Sequence, residues 1–359
     1  KGFNIGNDII FLALRHFIYK SFRQVVNLIS LPAVSRYESQ AKAGLTARII
    51  HEINQYGHGV IVGGGNLYEN GELDVDTNAL LQLEPPMMLF SLSSGRIYNR
   101  VDNLVHRTDA MPPAVIAALN TKASFSMTRD NRTLEYLKNL GCKNAVCGGC
   151  PTIHLNHMLQ EIPLPQLPVN EQPQVLISVR SPALMNISLR HQVAVRRDIL
   201  SIIDILRSKG IRNIRLLCHD HRDIPFASSM GEVDYVYTGD AYVYLAMLKS
   251  SNLNISYRLH SILPCMALGT PTIPITYDER AISLLETIGM KDWQVNMISC
   301  NDVPSAVTNA YNNLELYDNL NTKSLPVRHR LYDTISNVFE DFALSVMCFK
   351  DPERMDNDA

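Results

Sequence analysis

The sequence predicts an α/β fold of two Rossmann-like domains that face each other across a cleft. Its 359 residues exceed what one hydrophobic core usually organises, because domains cluster at roughly 100 to 200 residues. Apolar runs rich in β-branched residues alternate with segments of helical periodicity, which is typical of βα units and a mostly parallel sheet. A proline-rich stretch near residue 165 separates two alternating halves of similar size.

The first half contains a series of candidate strands and one well-marked helix. The helix is predicted over Asp130 to Leu140, where Asp130 or Asn131 can cap the first turn and Gly141 can end the last. Helical periodicity fills the gaps between the strands. The predicted strands are Gln24 to Ile29, Gly59 to Val62, Met87 to Leu92, Ala123 to Met127 and Asn144 to Val146.

The proline-rich stretch can hold neither a helix nor a central strand, so we expect a linker there. The alternation then restarts. The predicted parts are an N-terminal domain at 1–160, the linker at 161–174, a C-terminal domain at 175–325, and a helix and tail at 326–359. Predicted strands of the second half are Val175 to Val179, Ile214 to Cys218, Val233 to Tyr237, Leu253 to Tyr257 and Thr272 to Thr276. Predicted helices are Val193 to Ser208, Ala241 to Lys249, Ser261 to Leu268 and segments after Val303 and after Pro326.

The charge balance argues against nucleic acid as a partner. Lys and Arg number 33 against 35 Asp and Glu, so no overall positive field exists for a polyanionic backbone.

Two observations bear on the location of the protein. No apolar run approaches the roughly 18 residues that cross a bilayer. The seven cysteines are an odd number in a chain too long to need disulfides, which fits a reducing compartment. We expect a cytoplasmic protein, either free or in peripheral contact with the inner face of the membrane. An upstream strand or targeting segment before Lys1 stays an open alternative.

Three groups able to carry positive charge follow two predicted strands. Arg180 comes directly after Val175 to Val179, and Arg258 and His260 follow the strand that begins at Leu253. Ligands of open parallel sheets bind outside the carboxyl ends of the strands, so this pattern indicates a site for a small, multiply charged anion. The near-neutral pKa of a histidine also suits proton transfer. The alternative is that both arginines are surface residues paired with acids.

A glycine-rich segment, Gly63-Gly64-Gly65-Asn66, follows the predicted strand Gly59 to Val62. Glycines let a backbone approach a ligand closely and present N–H groups to oxygens. A tight turn with positive φ is an equally weighted alternative. We assign these four residues to binding of a sugar acceptor.

Two clusters of histidine and cysteine resemble metal sites, but we expect no metal. Cys147 and Cys150 precede His154 and His157 with a spacing far shorter than in finger-type zinc sites. The segment Cys218-His-Asp-His-Arg-Asp223 is interpreted as the solvated end of a strand. The tyrosines at 235, 237, 242 and 244 are interpreted as packing residues.

One segment carries a family resemblance. Ser256-Tyr-Arg-Leu-His-Ser261, followed by Ala267-Leu-Gly-Thr-Pro-Thr-Ile-Pro-Ile-Thr-Tyr-Asp278, resembles the C-terminal motif of polysaccharide pyruvyl transferases. Further matches follow the family's order and cover nearly the whole chain: Asn4-Ile-Gly-Asn-Asp8, Val60-Ile-Val-Gly-Gly-Gly-Asn66, Met127-Thr-Arg-Asp130 and Ile177-Ser-Val-Arg180. The chain departs from the family pattern at Asn7, at Cys150, and at Arg280, where a Lys is typical.

The resemblance implies the two-domain fold of GT-B glycosyltransferases and transfer of pyruvate from phosphoenolpyruvate to a sugar as a cyclic ketal. Arg180, Arg258, His260 and Arg280 would then bind the donor, with Arg258 and His260 catalytic, no cofactor and phosphoenolpyruvate as co-substrate. The acceptor would be a saccharide, either free or lipid-linked. Two alternatives stay open: a GT-B glycosyltransferase that uses a nucleotide sugar, and a saccharide-binding relative without catalysis.

Overall fold

The computed structural model describes residues 4–22, 25–33, 43–160, 163–168, 172–231 and 233–350. Its strands are β1 Val60–Gly65, β2 Met87–Leu92, β3 Ile97–Tyr98, β4 Leu104–Val105, β5 Phe125–Thr128, β6 Ala145–Cys147, β7 Val175–Val179, β8 Ile214–Cys218, β9 Tyr235–Tyr237, β10 Leu253–Ser256, β11 Thr272–Thr276 and β12 Val295–Asn296. Its helices are α1 Ile5–Phe22, α2 Ala47–Tyr56, α3 Thr77–Leu80, α4 Pro113–Lys122, α5 Asn131–Asn139, α6 Leu155–Met158, α7 Leu189–Ser208, α8 Ile224–Ser228, α9 Ala241–Ser250, α10 Leu259–Leu268, α11 Glu279–Thr287, α12 Val303–Asn312 and α13 Leu314–Lys350.

The chain divides into two compact units, which we name by their main sheets. The six-stranded unit contains Lys1–Ala13, Arg96–Val105 and Pro151–Arg328. The four-stranded unit contains Leu14–Gly95, His106–Cys150 and His329–Ala359. Each unit therefore has its own parallel sheet, in agreement with the predicted α/β class.

The four-stranded unit is built on a parallel sheet of order β1-β2-β5-β6. Every residue of β2 is buried, which explains its uninterrupted apolar run. The ring of Phe90 from β2 packs edge-on against Phe339, and Phe339 stacks on Phe17. At Ser91 the backbone takes a positive φ of 52°, where the pairing of β2 with β5 shifts register.

The six-stranded unit has the strand order β12-β11-β10-β7-β8-β9, and all of its neighbouring pairs are parallel. Strand β7 lies inside the sheet and is buried along its whole length. Ile5 and Ile9 of α1 pack in one core cluster with Leu176, Leu217 and Tyr244. This packing attaches the first helical turns of the chain to the sheet of its second half.

Most predicted strands lie within two residues of the observed ones, and β2, β7, β8 and β11 match their predictions. The prediction of a strand at Gln24 to Ile29 is wrong for 25–29, which form neither strand nor helix; Gln24 lies outside the described residues. Val25 and Ile29 are 100% and 75% exposed, whereas Val26 and Leu28 are half-buried against the core of the four-stranded unit, so one side of this run contacts the core without forming a strand. Periodicity alone did not indicate this.

The helix expected after Pro326 begins much earlier, at Leu314, and Pro326 lies inside it. The segment before the proline is anchored by Tyr317, which is buried, packs against Trp293 and donates a hydrogen bond to the Thr270 carbonyl over 3.3 Å. Such tertiary contacts offset the hydrogen bond that a proline removes from a helix.

The predicted domain limits stay a prediction, and the compact units differ from them in two respects. The change of unit falls between Cys150 and Pro151, and the short segments at the chain start and at Arg96–Val105 belong with the second half. The apolar contacts of Leu155 and Met158 explain the first difference, because both residues pack in the core of the six-stranded unit.

Candidate anion site

Polar side chains follow four neighbouring strands of the six-stranded unit. Arg180 follows β7, His219 to Asp223 follow β8, Arg258 and His260 follow β10, and Tyr277 to Arg280 follow β11. The strand order β11-β10-β7-β8 places these carboxyl ends side by side at one edge of a parallel sheet. This edge is where ligands of open α/β sheets bind.

Arg180 lies above two buried carboxylates without a close ion pair to either. Its Nη1 is 3.9 Å from Asp223 Oδ1 and 4.0 Å from Asp220 Oδ2. The side chain is only 16% exposed, and Nη1 has no hydrogen-bond partner. Burial and the nearby charge of Arg258 lower the pKa of Arg180 from its ordinary value. A buried cationic donor of this kind is suited to an anionic oxygen.

Asp220 and Asp223 are fixed by the turn that follows β8. Asp220 accepts hydrogen bonds from the backbone N–H and the Nε of Arg222, at 3.0 and 2.8 Å. Asp223 Oδ1 accepts the Ser181 amide over 2.9 Å. Burial raises the pKa of Asp220, but the hydrogen bonds and charge of Arg222 outweigh it, so the net shift is downward. Both carboxylates are therefore fixed beneath Arg180.

Arg258 is buried at the N-cap of α10. The Ser256 hydroxyl accepts its amide N–H at 2.9 Å and donates to its carbonyl at 3.0 Å, which fixes the backbone at the end of β10. The positive charge of Arg258 acts on the pKa values of Arg180, Cys218 and Tyr277. The structure thus brings Arg180 and Arg258 within electrostatic range of each other, as the sequence predicted.

His260 lies at a kink in α10. Its ψ of 15° is not helical, and Pro264, four residues later, has no N–H to donate to its carbonyl. The Tyr244 hydroxyl donates to that carbonyl instead, over 3.1 Å. This kink sets the backbone from which the imidazole projects.

The interpretation of His219 as a solvated residue is wrong, whereas His221 is exposed as expected. His219 has 0% exposure, and its Nε2 lies 2.7 Å from the Tyr244 hydroxyl. Burial, together with the charges of Arg258, His260 and Arg180, lowers the pKa of His219 well below its ordinary value. His219 is therefore a neutral structural residue. Its burial follows from the apolar run of β8, which extends the core to the strand end.

Arg280 forms an ion pair with Asp278, its neighbour two residues earlier in the chain. Its Nε donates to Asp278 Oδ2 over 3.0 Å, and Asp278 Oδ1 caps α11 at the Ala281 amide. Burial and Asp278 raise the pKa of Tyr277, while Arg258, Arg180 and Arg280 oppose that shift. All three arginines therefore act on Tyr277, whose position makes it a candidate contact that sequence reasoning did not select.

The Gly63 to Asn66 segment belongs to the four-stranded unit and forms the end of β1. Gly64 and Gly65 have φ values of 77° and 103°, which other residues adopt at a cost. The Gly65 carbonyl accepts the Ser93 amide over 2.8 Å. Two of the glycines thus have the positive φ that the tight-turn alternative requires, but all three glycines lie in β1 rather than in a turn. The role of Gly63, Gly64, Gly65 and Asn66 in acceptor binding stays a prediction.

The cysteine and histidine clusters do not form a metal site among the described residues, where no group of three or more potential ligands is arranged around one point. Cys147 is half-buried and Cys150 is buried. Burial raises the pKa of the Cys147 thiol to about 11, so the thiolate form that binds metals is disfavoured.

In the part of the chain that the structure describes, every helix is too short or too polar to span a lipid bilayer.

Residues 4–279 match the family model described as polysaccharide pyruvyl transferase. Among curated protein sequences, none matched the chain. Similar solved structures include UDP-GlcNAc 2-epimerase from Neisseria meningitidis bound to UDP-GlcNAc, with a TM-score of 0.57 at 11% identity, over 95% of this chain and 97% of that one. Another is a complex of S. aureus MnaA with UDP, with a TM-score of 0.55 at 10% identity, over 95% of this chain and 91% of the other. At such identities the likeness shows the fold alone, and it confirms the predicted GT-B-like α/β class.

Proposed function

Because the chain belongs to the polysaccharide pyruvyl transferase family, we propose that it transfers pyruvate from phosphoenolpyruvate to a saccharide as a cyclic ketal. The observation that carries this proposal is that the half-buried Arg180 and the buried Arg258 follow the adjacent strands β7 and β10, with His260 two residues after Arg258. Phosphoenolpyruvate bears a phosphate and a carboxylate a few bonds apart. Two guanidiniums and a neighbouring histidine match that charge pattern.

The proposed reaction starts with proton transfer from His260 to C3 of the enol, which makes C2 electrophilic. A saccharide hydroxyl adds to C2 and loses its proton. The bond from C2 to the phosphate oxygen then breaks, inorganic phosphate leaves, and a second hydroxyl of the same sugar adds to C2 with loss of its proton. The products are a cyclic ketal and phosphate, and the scheme uses no metal or other cofactor.

The arginines would act by charge. Arg180, with its open Nη1, and Arg258 would hold the phosphate and carboxylate, and Arg280 would add positive charge on the β11 side of the site. Opposite charges nearby stabilise an imidazolium, so binding of the donor favours the protonated His260 that a general acid requires. After phosphate leaves, the neutral imidazole can accept the proton of a hydroxyl.

The proposed acceptor contacts, Gly63, Gly64, Gly65 and Asn66, belong to the four-stranded unit. They are proposed from the motif Val60-Ile-Val-Gly-Gly-Gly-Asn66, which resembles that of the family, and from their place at and directly after the carboxyl end of β1. The acceptor class follows from the family, whose substrate is a polysaccharide or its precursor. A cytoplasmic location, where phosphoenolpyruvate is made, is part of the same proposal.

Ligand binding tests the donor first. We expect phosphoenolpyruvate to raise the unfolding temperature in the absence of nucleotide, because a ligand that binds only the folded state stabilises it by mass action. Turnover is then measured with phosphoenolpyruvate and a panel of free, nucleotide-linked and lipid-linked sugars, by release of phosphate and by the mass gained on the sugar. Stabilisation by a nucleotide sugar alone, without any effect of phosphoenolpyruvate, would contradict the proposal and favour a glycosyltransferase.

A further inference from the structure

The first turn of α1 is attached to the end of β8. The Ile5 amide donates to the His219 carbonyl over 3.0 Å, and Asn4 forms an antiparallel bridge with Asp220. The Asn4 side-chain carbonyl accepts the Gly6 amide, also at 3.0 Å. Residues 4–6 are therefore held on the same strand end that positions His219 and Asp220.

Gly6 lies directly against the imidazole of His260. A Cβ atom placed on Gly6 would be 2.2 Å from His260 Nδ1 and 2.8 Å from its Cγ. These distances are far below van der Waals contact, so residue 6 can carry no side chain unless the imidazole moves. The positive φ that often explains a glycine is not the reason here, because Gly6 has none. The glycine is required by the ring beside it.

The backbone of His260 is held by a hydrogen bond from α9. Tyr244 donates its single phenolic proton to the His260 carbonyl. The same oxygen lies 2.7 Å from His219 Nε2, in a hydrogen bond whose direction follows the tautomer of His219. His219, Tyr244 and the His260 carbonyl thus form one chain of hydrogen bonds inside the six-stranded unit, with His219 and Tyr244 fully buried.

We infer that Gly6, Tyr244 and His219 are positioning residues for His260: Gly6 restrains the Nδ1 side of the ring, and the Tyr244–His219 pair fixes the kink from which the ring projects. With Nδ1 against α1, Nε2 is the nitrogen that would transfer the proton in the proposed reaction. The effect on catalysis rests on the proposed function, whereas the positioning of the ring can be tested without it. An acid that must reach one carbon atom depends strongly on orientation.

The first experiment reads the ring itself, without substrate. Protein labelled with ¹⁵N-histidine is examined by long-range ¹H–¹⁵N spectra at fixed pH, with the His260 signals assigned by their loss in His260→Asn. We expect Gly6→Ala to shift the His260 nitrogen signals. Gly239→Ala is the matched control, because a Cβ there meets no atom within 4 Å and its φ is not positive. Unchanged His260 signals in a folded Gly6→Ala protein would overturn the inference.

The second experiment uses turnover. For Gly6→Ala we expect kcat to fall at least about tenfold while KM for phosphoenolpyruvate stays within about threefold, because a misplaced group costs rate more than binding. In the His260→Asn background the same substitution should cause no further loss, since its effect passes through the ring. An equal additional loss in that background would contradict the inference.

Tyr244→Phe tests whether the Tyr244–His219 pair fixes the kink at His260, and it can be measured even when Gly6→Ala does not fold. It removes one oxygen, and we expect it to shift the His260 signals and lower kcat with little change in KM. Unchanged signals would remove the Tyr244–His219 pair from the inference. If the unmodified protein shows no turnover with any sugar, the proposed function fails, whereas the spectra still decide whether these residues position His260.

Discussion

At the scale of single residues, Arg180 and His260 carry the proposed chemistry by different means. Arg180 is buried above Asp220 and Asp223 at 3.9 to 4.0 Å, a distance that leaves its Nη1 without a hydrogen bond. Leaving a buried donor unsatisfied costs roughly 1 to 3 kcal/mol, and an anionic ligand would recover this energy. His260 instead depends on orientation, because a proton is transferred only over a short, aligned path.

Arg180→Lys keeps the charge but loses the forked pair of N–H donors. We expect kcat/KM for phosphoenolpyruvate to fall by about 1.5 to 3 kcal/mol of transition-state binding. Steady-state kinetics measure this. Arg48→Lys is the matched control, since Arg48 is exposed and forms only an i,i+4 pair with Glu52, which a lysine can also form. An unchanged kcat/KM in Arg180→Lys would remove this residue from the donor site.

His260→Asn keeps polarity and approximate size but removes the group that transfers the proton. General acid–base catalysis contributes about 10² to 10⁴ in rate, so we expect kcat to fall at least about a hundredfold with donor affinity kept within about tenfold. Donor titration and turnover across pH measure both. Normal turnover with an unchanged pH profile would show that His260 is structural. Retained turnover with lost donor binding would make it a donor ligand only.

At the scale of elements, a strand is predicted correctly from an apolar run when that run is buried inside a sheet, as β7 is. Val175 to Val179 is a continuous apolar run that lies inside a parallel sheet, so pattern and position agree. The run at 25–29 is similar in composition, but its residues alternate between exposed and half-buried and form no strand. The contact of Gly6 with His260, and that of Tyr244 with His219, join separate elements. Spacing along a sequence gives no information on such contacts, which is why the arginines at strand ends could be predicted and their supporting residues could not.

The buried end of β8 makes stability depend on pH. The pKa of His219 is well below its ordinary value of 6.5 in the folded protein, so below that ordinary value the unfolded chain binds a proton that the folded protein does not. Stability from this residue is therefore complete above pH 6.5 and falls, by at most about 1.4 kcal/mol per pH unit, as the pH drops below it.

Urea unfolding at pH 7.5 and pH 5.5 measures this difference. His219→Gln offers an N–H donor to Tyr244 but no titrating group, so we expect the loss of stability between the two pH values to be smaller in the variant. His221→Gln is the control, because His221 is exposed on the same turn. Equal losses in the unmodified protein and in His219→Gln would show that another group causes the acid sensitivity.

At the scale of the whole molecule, the two units differ in what the sequence could predict of their chemistry. The anion site of the six-stranded unit follows from charged residues placed at strand ends, which is a pattern that a sequence displays. In the Gly63 to Asn66 segment of the four-stranded unit, the positive φ values of Gly64 and Gly65 explain two of the glycines by backbone conformation. Which sugar it would recognise depends on side-chain shapes that no motif of this chain specifies.

The metal content is a property of the whole purified protein. We expect no stoichiometric metal in protein prepared without added metal salts, because the raised pKa of Cys147 disfavours its thiolate. Elemental analysis measures this. Near-unit zinc that disappears when Cys147 and Cys150 are both replaced by serine would overturn the prediction. Cys142→Ser together with Cys300→Ser is the control for cysteine loss elsewhere in the chain.

The bond from the Ile5 amide to the His219 carbonyl has a consequence for the order of events during translation. A ribosome synthesises α1 long before β8, α9 and α10, and domains form as their residues emerge. Until then, Ile5 and Ile9 lack the partners Leu176, Leu217 and Tyr244 that bury them, so a nascent chain carries an uncovered apolar surface on α1. The surroundings of His260 are completed only when α10 has left the ribosome and packs with the α1 segment that was made more than 200 residues earlier.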